Sequence, residues 1–556
     1  MAIIHITVTL GVVAATAIGY GLACGYQHRS KINQLRKQGI AMPKWNWWTG
    51  HLLVLQKYTD RLPPDANVQL AMEELALEYG DTEVFLMDFW PVYPPFFIVY
   101  DPQAAMQVST KLVLPKLPLH LKFMLPIVGG PNLHSMNGQE WKTWRSMFNP
   151  GFSAARMTDL LPAVIDSVQV FCDILRENVD SGIVHLDDLT TRLTMDIILK
   201  VTLDMNSGHQ RSEHPIAHAL HTITAWHSFW DPRVLMNPLR PFIQKYYGNV
   251  MNHCIQAELQ QRFAEMIQDK SESKPKRAKS VIALALEAYL ADPQLSKNVG
   301  DPNKLDEHFA KYASYQIRLF LFAGNDTTSS SIVYVYHLLS KYPEVLRQVR
   351  EEHDRVFGTD PSAASKRLKD EPTLLSQCPL TLAVIKETLR LFPPASTTRG
   401  GRSNASLTDR HGNVYPLDYV GANILHPAAH HNPRVWPRVD EFLPERFLVS
   451  AGHELYPDPG AWRPFEQGPR SCIGQTLVYN EMQVVLVMTA RVFNISPAYD
   501  EWDRLNPPTR LLRRLSQWTG LSKPGPRTVK GERAYQTEKA GTHPADGYPC
   551  RVALVA

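Results

Sequence analysis

The stretch Phe465-Glu466-Gln467-Gly468-Pro469-Arg470-Ser471-Cys472-Ile473-Gly474 runs straight into a segment, 475–492, with the three-four apolar spacing of a helix. Cys472 therefore stands at the mouth of a helix, where free backbone N–H groups and the positive end of the dipole both favour thiolate over thiol. Gly468 and Gly474 permit a tight turn that brings amides near the sulfur, and Arg470 offers a fixed cation to an acidic group. A metal-bound thiolate suits such a place. The plain alternative is a buried core cysteine, which is what most isolated cysteines are. Five specified positions in this order meet by chance in about one chain in ten thousand at average residue usage, so the plain alternative loses.

Upstream, Glu387-Thr388-Leu389-Arg390 puts a carboxylate and a guanidinium at i and i+3, on one face of the helix expected over 380–391. Alone, such a pair is usually a solvated surface contact. Pro444-Glu445-Arg446-Phe447 follows at a distance. The long helix expected over 306–341 carries poor helix formers at its centre, from Ala323-Gly324-Asn325-Asp326-Thr327-Thr328 into three serines. Gly324 allows close approach of a ligand there, and hydroxyls bonding back to carbonyls or out to water can open the backbone ladder. A kink without chemistry is the alternative. Asn325 opens a glycosylation sequon, but inside an apolar helical pattern no glycan fits.

The decapeptide resembles the haem-binding signature of the cytochrome P-450 family, whose cysteine is the proximal iron ligand. The 387–390 quartet resembles the family's ExxR, 444–447 its PERF element, 323–328 the centre of its long distal helix, and Trp141 with Arg145 its WxxxR helix. The order is the family's, and the resemblance covers roughly residues 40–556. It implies a mainly α fold with a small β region, holding haem b (iron protoporphyrin IX) between helices 306–341 and 475–492. It further implies that Cys472 ligates iron as thiolate while Phe465 packs near the sulfur. Trp141, Arg145, Arg399 and Arg470 would contact the propionates, where planar guanidinium groups suit carboxylates. Glu387, Arg390 and Arg446 would hold the fold around the haem. Asp326 and Thr327 match the family's acid and alcohol for proton delivery.

The activity implied is insertion of one oxygen atom from O2 into a lipophilic small molecule, since an axial thiolate favours O–O cleavage. The chain has no flavin or nicotinamide motif, so electrons are expected from NADPH through a membrane-bound NADPH-cytochrome P-450 reductase. Lys142 and Arg463 are docking candidates on the expected proximal face. Leu319, Phe322, Ala323, Ser396 and Thr397, with segments 112–136, 222–247 and 542–544, are expected to line the substrate pocket. The overall style resembles filamentous-fungal members that tailor secondary metabolites. Two rivals are a haem-thiolate isomerase or dehydratase that does not use O2, and a non-catalytic haem sensor or membrane carrier. Neither needs the Asp326-Thr327 pair.

Length and charge agree with an enzyme of this size. In 556 residues, 44% are apolar, and 58 basic side chains nearly balance 54 acidic ones. That excludes a disordered chain and gives no positive field for nucleic acid. The six cysteines form no CxxC pair and read as free thiols. Residues 1–28 contain no Asp, Glu, Lys or Arg and are mostly apolar, long enough for one transmembrane helix. A signal peptide fits less well, because a basic n-region is missing and the apolar run is too long. Arg29, Lys31, Arg36 and Lys37 follow, which predicts a single-pass anchor in the endoplasmic reticulum with the rest facing the cytosol. Residues 29–57 read as a basic, Pro- and Trp-containing linker and 58–556 as the catalytic domain. Helices are expected over 154–177, 186–203, 247–269 and 344–357, strands over 83–87 and 96–100, and a charged loop over 271–279.

Overall fold

The computed structural model describes residues 2–80, 82–228, 232–271, 279–292, 305–507, 527–539 and 541–555. Most of the charged loop expected at 271–279 and residues 229–231 of the expected pocket segment lie outside them.

Helices dominate. Those that build the site are α1 (Ala2–Lys37), α2 (Gly138–Phe148), α3 (Leu186–Leu203), α4 (Glu307–Lys341), α5 (Pro343–Phe357), α6 (Pro379–Leu391) and α7 (Gln475–Thr489). Helix α4 starts where the Asp306 carboxylate accepts the Phe309 N–H at 2.7 Å, and it ends in Lys341 just before Pro343. It packs on α3, α6 and α7. The segment expected as one helix at 154–177 is two, Ala154–Asp159 and Leu161–Glu177, because Pro162 opens a new first turn. The expected 247–269 helix is longer, Arg240–Ser271.

Four short strands, β1 (Val84–Met87), β2 (Phe96–Val99), β3 (Thr397–Arg399) and β4 (Gly421–Ile424), form one sheet in the order β1-β2-β4-β3. Only β2 and β4 run parallel, with Phe96 opposite Gly421. A second sheet joins Val184–His185, β6 (Pro549–Leu554) and β5 (Phe493–Pro497), antiparallel throughout.

The α5–α6 junction holds Glu352, His353 and Cys378 close together and buried. Both Glu352 oxygens accept N–H groups at the start of α6, from Leu380 at 2.8 Å and Thr381 at 2.9 Å. Burial pushes the Cys378 thiol up to about 12. A spent carboxylate and a neutral thiol make this a helix cap and not a metal centre.

The amino terminus forms helix α1, continuous from Ala2 to Lys37. Among the described residues no helix is long and apolar enough to cross a membrane. The boundary expected at residue 28 also falls inside one continuous helix. His28 and Arg29 on α1 both pair with Asp88, just after β1, with His28 Nε2 2.8 Å from Asp88 Oδ1. Trp45 Nε1 donates to Asp88 Oδ2 at 2.9 Å. Burial pushes the Asp88 carboxyl up, but these partners outweigh it and hold the group down at about 2. Ile32, one turn on, is fully buried against the first sheet.

Candidate active site

The Cys472 loop closes on itself: the Cys472 N–H donates to the Phe465 carbonyl at 2.8 Å. Gly468 has φ +77°, and a Cβ there would lie 2.6 Å from the Ser109 carbonyl, so only glycine fits. Phe465 meets Tyr479 of α7 edge-on at 5.2 Å. Cys472 has an exposed side chain, yet its thiol pKa is raised because protein atoms enclose it. The two observations agree if the sulfur faces an internal space. The backbone N–H groups of Gly474 and Gln475 and the Arg145 guanidinium act in the opposite sense, favouring thiolate.

Arg470 and Arg399 belong to a set of cations that sequence reasoning did not assemble. Lys116, in a proline-bounded loop, is buried, and its pKa is pushed well down by burial and then by Arg399 and Arg470. His134 is pushed well down by Lys116 first and by burial second, with His120, Arg399 and Arg470 adding to both. Arg470 donates to the Met136 carbonyl at 2.8 Å and lies 4.4 Å over the Trp141 ring, but its Nη1 is buried without a partner. Among the described residues Glu466 is the carboxylate that opposes the lowering at Lys116, and it is engaged with Arg463 and Ser109. Buried cations with an orphaned donor and too little negative charge fit a ligand bearing carboxylates. The signal for Lys116 and His134 was a basic residue inside an otherwise apolar loop.

Behind the loop, Glu387 is fully buried and Arg390 grips it with two bonds of 2.8 and 2.9 Å. Arg446 donates to the same carboxylate at 3.2 Å, and Leu443 N–H at 3.1 Å. The carbonyls of His430 and Glu441 take the other Arg390 donors at 2.9 and 3.0 Å. Arg463, expected as an exposed docking residue, is instead buried and held by Ser109 at 2.6 Å and by Glu466. Lys142 is exposed on α2.

On the other side stands α4. Ala323 is exposed at the centre of a mostly buried helix, between Leu319 and Thr327 on one stripe, with Phe322 and Thr327 half-buried. Such a stripe faces a cavity. The helix is unbroken: Thr327 Oγ1 donates to the Ala323 carbonyl at 2.8 Å and Ser331 Oγ to the Thr327 carbonyl at 2.7 Å. Hydroxyls bond back without opening the ladder. Gly324 serves a helix crossing, not a ligand, since a Cβ there would sit 2.9 Å from Ile198 Cδ1 on α3. Asn325 is buried and accepts the Thr194 hydroxyl at 2.6 Å. Asp326 Oδ1 lies 2.9 Å from His543 Nε2, and His543 Nδ1 lies 2.6 Å from Asp187 Oδ1. Ser396 pairs with Gln69 and accepts the His426 N–H at 3.1 Å, while buried Thr397 pairs with Ile424 in the sheet.

The cytochrome P-450 family profile matches residues 40–517. The chain belongs to the cytochrome P-450 family. It is 40% identical over 98% of its length to the cytochrome P-450 monooxygenase polC of Polytolypa hystricis, covering 95% of that protein. To the cytochrome P-450 monooxygenase acrF of Aspergillus aculeatus it is 32% identical, over 88% of this chain and 98% of that one. The crystal structure of a cytochrome P-450DA haem domain superposes with a TM-score of 0.68 at 19% identity, covering 93% of this chain and 98% of that one, a likeness of fold. This P-450 is thus a monooxygenase, and its family implies a haem-thiolate centre, O2 and a reductase.

Proposed function

We propose that this P-450 inserts one oxygen atom into a lipophilic small molecule as a tailoring step in fungal secondary metabolism, drawing electrons from NADPH through an NADPH-cytochrome P-450 reductase. The observation that carries the cofactor part is the accessible Cys472 thiol beside Lys116, Arg399 and Arg470, cations without enough carboxylate to balance them. Haem b fits both: Cys472 would hold its iron, and Arg399, Arg470, Lys116, Trp141 and Arg145 would hold its propionates. Bound there, it supplies the oxygen activation that no side chain can.

The chain's own residues then have separate duties. Glu387, Arg390 and Arg446 fix the loop that presents Cys472. Leu319, Phe322 and Ala323 offer an apolar stripe to substrate. Thr327 presents a hydroxyl on the same stripe, and Asp326 next to it is a buried carboxylate able to pass protons. Similarity to two fungal monooxygenases over most of the chain supports the tailoring role.

Association with the endoplasmic reticulum membrane, catalytic unit toward the cytosol, rests on the basic flank after residue 28 and on exposed apolar side chains. Val12, Val13, Ile18 and Leu22 on α1 are exposed, as are Met236, Leu239 and Phe242 before and at the start of Arg240–Ser271.

Expression with a reductase in a host fed candidate substrates tests the whole reading. Mass spectrometry should find products heavier by one oxygen, labelled from isotopic O2. Unlabelled isomerised or dehydrated products would overturn it in favour of the rival enzyme.

A further inference from the structure

The loop 541–548 is shaped around one contact. Thr542, Asp546 and Tyr548 all have positive φ, at 58°, 51° and 54°, as do Gly541 and Gly547. For β-branched Thr542 this is a strained conformation, kept only where surroundings over-determine it. They do: Gln536 Nε2 donates to Thr542 Oγ1 at 2.8 Å, and the His543 carbonyl accepts both the Thr537 N–H at 2.9 Å and its hydroxyl at 2.8 Å. The Gly541 carbonyl accepts Ser330 Oγ of α4 at 2.8 Å. A Cβ at Gly541 would lie 2.3 Å from Asp326 Oδ2, so the loop is pressed against that carboxylate.

The product of this construction is the imidazole of His543 between two carboxylates. A neutral imidazole has one donor and one acceptor, and an acceptor nitrogen aimed at a carboxylate repels it. With both nitrogens within 2.9 Å of a carboxylate oxygen, the ring that satisfies both is the imidazolium. Asp326 Oδ2 is buried without a hydrogen-bond partner, so the hydrogen bonding of this carboxylate rests on His543.

We propose that His543 is the positioning residue of the distal groove: clamped by Asp187, it aims the Asp326 carboxylate and keeps it charged beside Thr327. The inference deepens the roles given above to Asp326 and Thr327 and rests on them. The groups facing the cluster are Asp187 on α3, His221 on Pro215–Ala225, and on α4 the Tyr334 hydroxyl, 3.5 Å from the Thr542 carbonyl. The Asp326 pKa is raised on balance, by burial first and by Asp187 as well, while His543 and more weakly His221 oppose the rise. Burial also pulls the His543 pKa down, but Asp187 and Asp326 outweigh this and hold it up at about 10. Without the imidazolium, Asp326 is left in a desolvated site beside Asp187, and its pKa rises further, toward the neutral acid.

The test uses holoprotein of His543→Gln, which keeps a donor but no charge, with His543→Lys to restore charge and Asp187→Asn as a gentler variant should His543→Gln fold poorly. Infrared difference spectra at pH 7 should show a protonated-carboxyl band in His543→Gln that is missing from wild type and from the His543→Gln/Asp326→Asn pair. Product per NADPH should fall about tenfold and become dependent on pH where wild type is not. Turnover driven by added hydrogen peroxide, which brings its own protons and electrons, should fall less than twofold. His543→Lys should remove the band, and Asp187→Asn should show it weakly. No protonated-carboxyl band in either His543→Gln or Asp187→Asn, or equal losses with O2 and with peroxide, overturns the proposal. Absence of the thiolate carbon monoxide band in wild type is a separate result, and would count against the haem reading while leaving the infrared comparison valid.

Discussion

The Glu387 cluster behind the Cys472 loop and the Asp326 cluster on α4 are both built around a buried carboxylate, but the chain assembles them differently. Glu387 meets Arg390 one helical turn away and Arg446 within the same third of the sequence, and both its oxygens are occupied. Among the described residues Asp326 meets only His543, itself held by Asp187, one of its oxygens has no partner, and it lies next to an exposed stripe. The first arrangement is closed and suits holding a ligand loop still. The second is open on one side and suits a group that must exchange protons.

This contrast can be broken experimentally. Glu387→Ala strands two buried guanidinium groups and should cost about 3–5 kcal/mol, seen as loss of recoverable haem protein. Cys472→Ala should abolish the red-shifted carbon monoxide band of the reduced protein; an unchanged spectrum would refute the ligand.

The Asp326 side should respond to pH. The His543 pKa is raised from 6.5 to about 10 in the folded chain, so its stabilisation is complete below pH 6.5 and is lost as pH rises through 10. Thermal midpoints of wild type and His543→Gln should therefore differ by an amount equivalent to about 2 kcal/mol at pH 6 and converge above pH 10. Thr327→Ala should leave haem content and NADPH consumption in place while product per NADPH drops about tenfold, as a misplaced proton donor predicts. The smallest effect concerns the Asp88 cluster. Removing residues 1–27 should leave stability unchanged, whereas removing 1–29 strips His28 and Arg29 from Asp88 and should cost about 1 kcal/mol in urea titration.

The same contrast explains what could be read from the sequence. The 465–474 loop, the 387–390 pair and the α4 composition are local patterns, and α3 begins and ends where periodicity predicts, at Leu186 and Leu203. Asp187 and His543 act through a contact made across hundreds of residues, and nothing at short range marks them; Lys116 is marked only as a basic residue in an apolar loop. Gly324 was misread for the same reason: its neighbour Ile198 belongs to another helix. Arg463 was read as surface charge, though burial with Ser109 and Glu466 depends on a packing that periodicity does not encode.

Helix α1 carries a mechanical consequence. Because His28, Arg29 and Ile32 fasten its second half to the first sheet while the helix runs on unbroken to residue 2, about 40 Å of rigid rod projects from the enzyme. A rod, unlike a tether, transmits tilt: any surface that grips its tip sets the direction in which the α4 stripe and the Cys472 loop point.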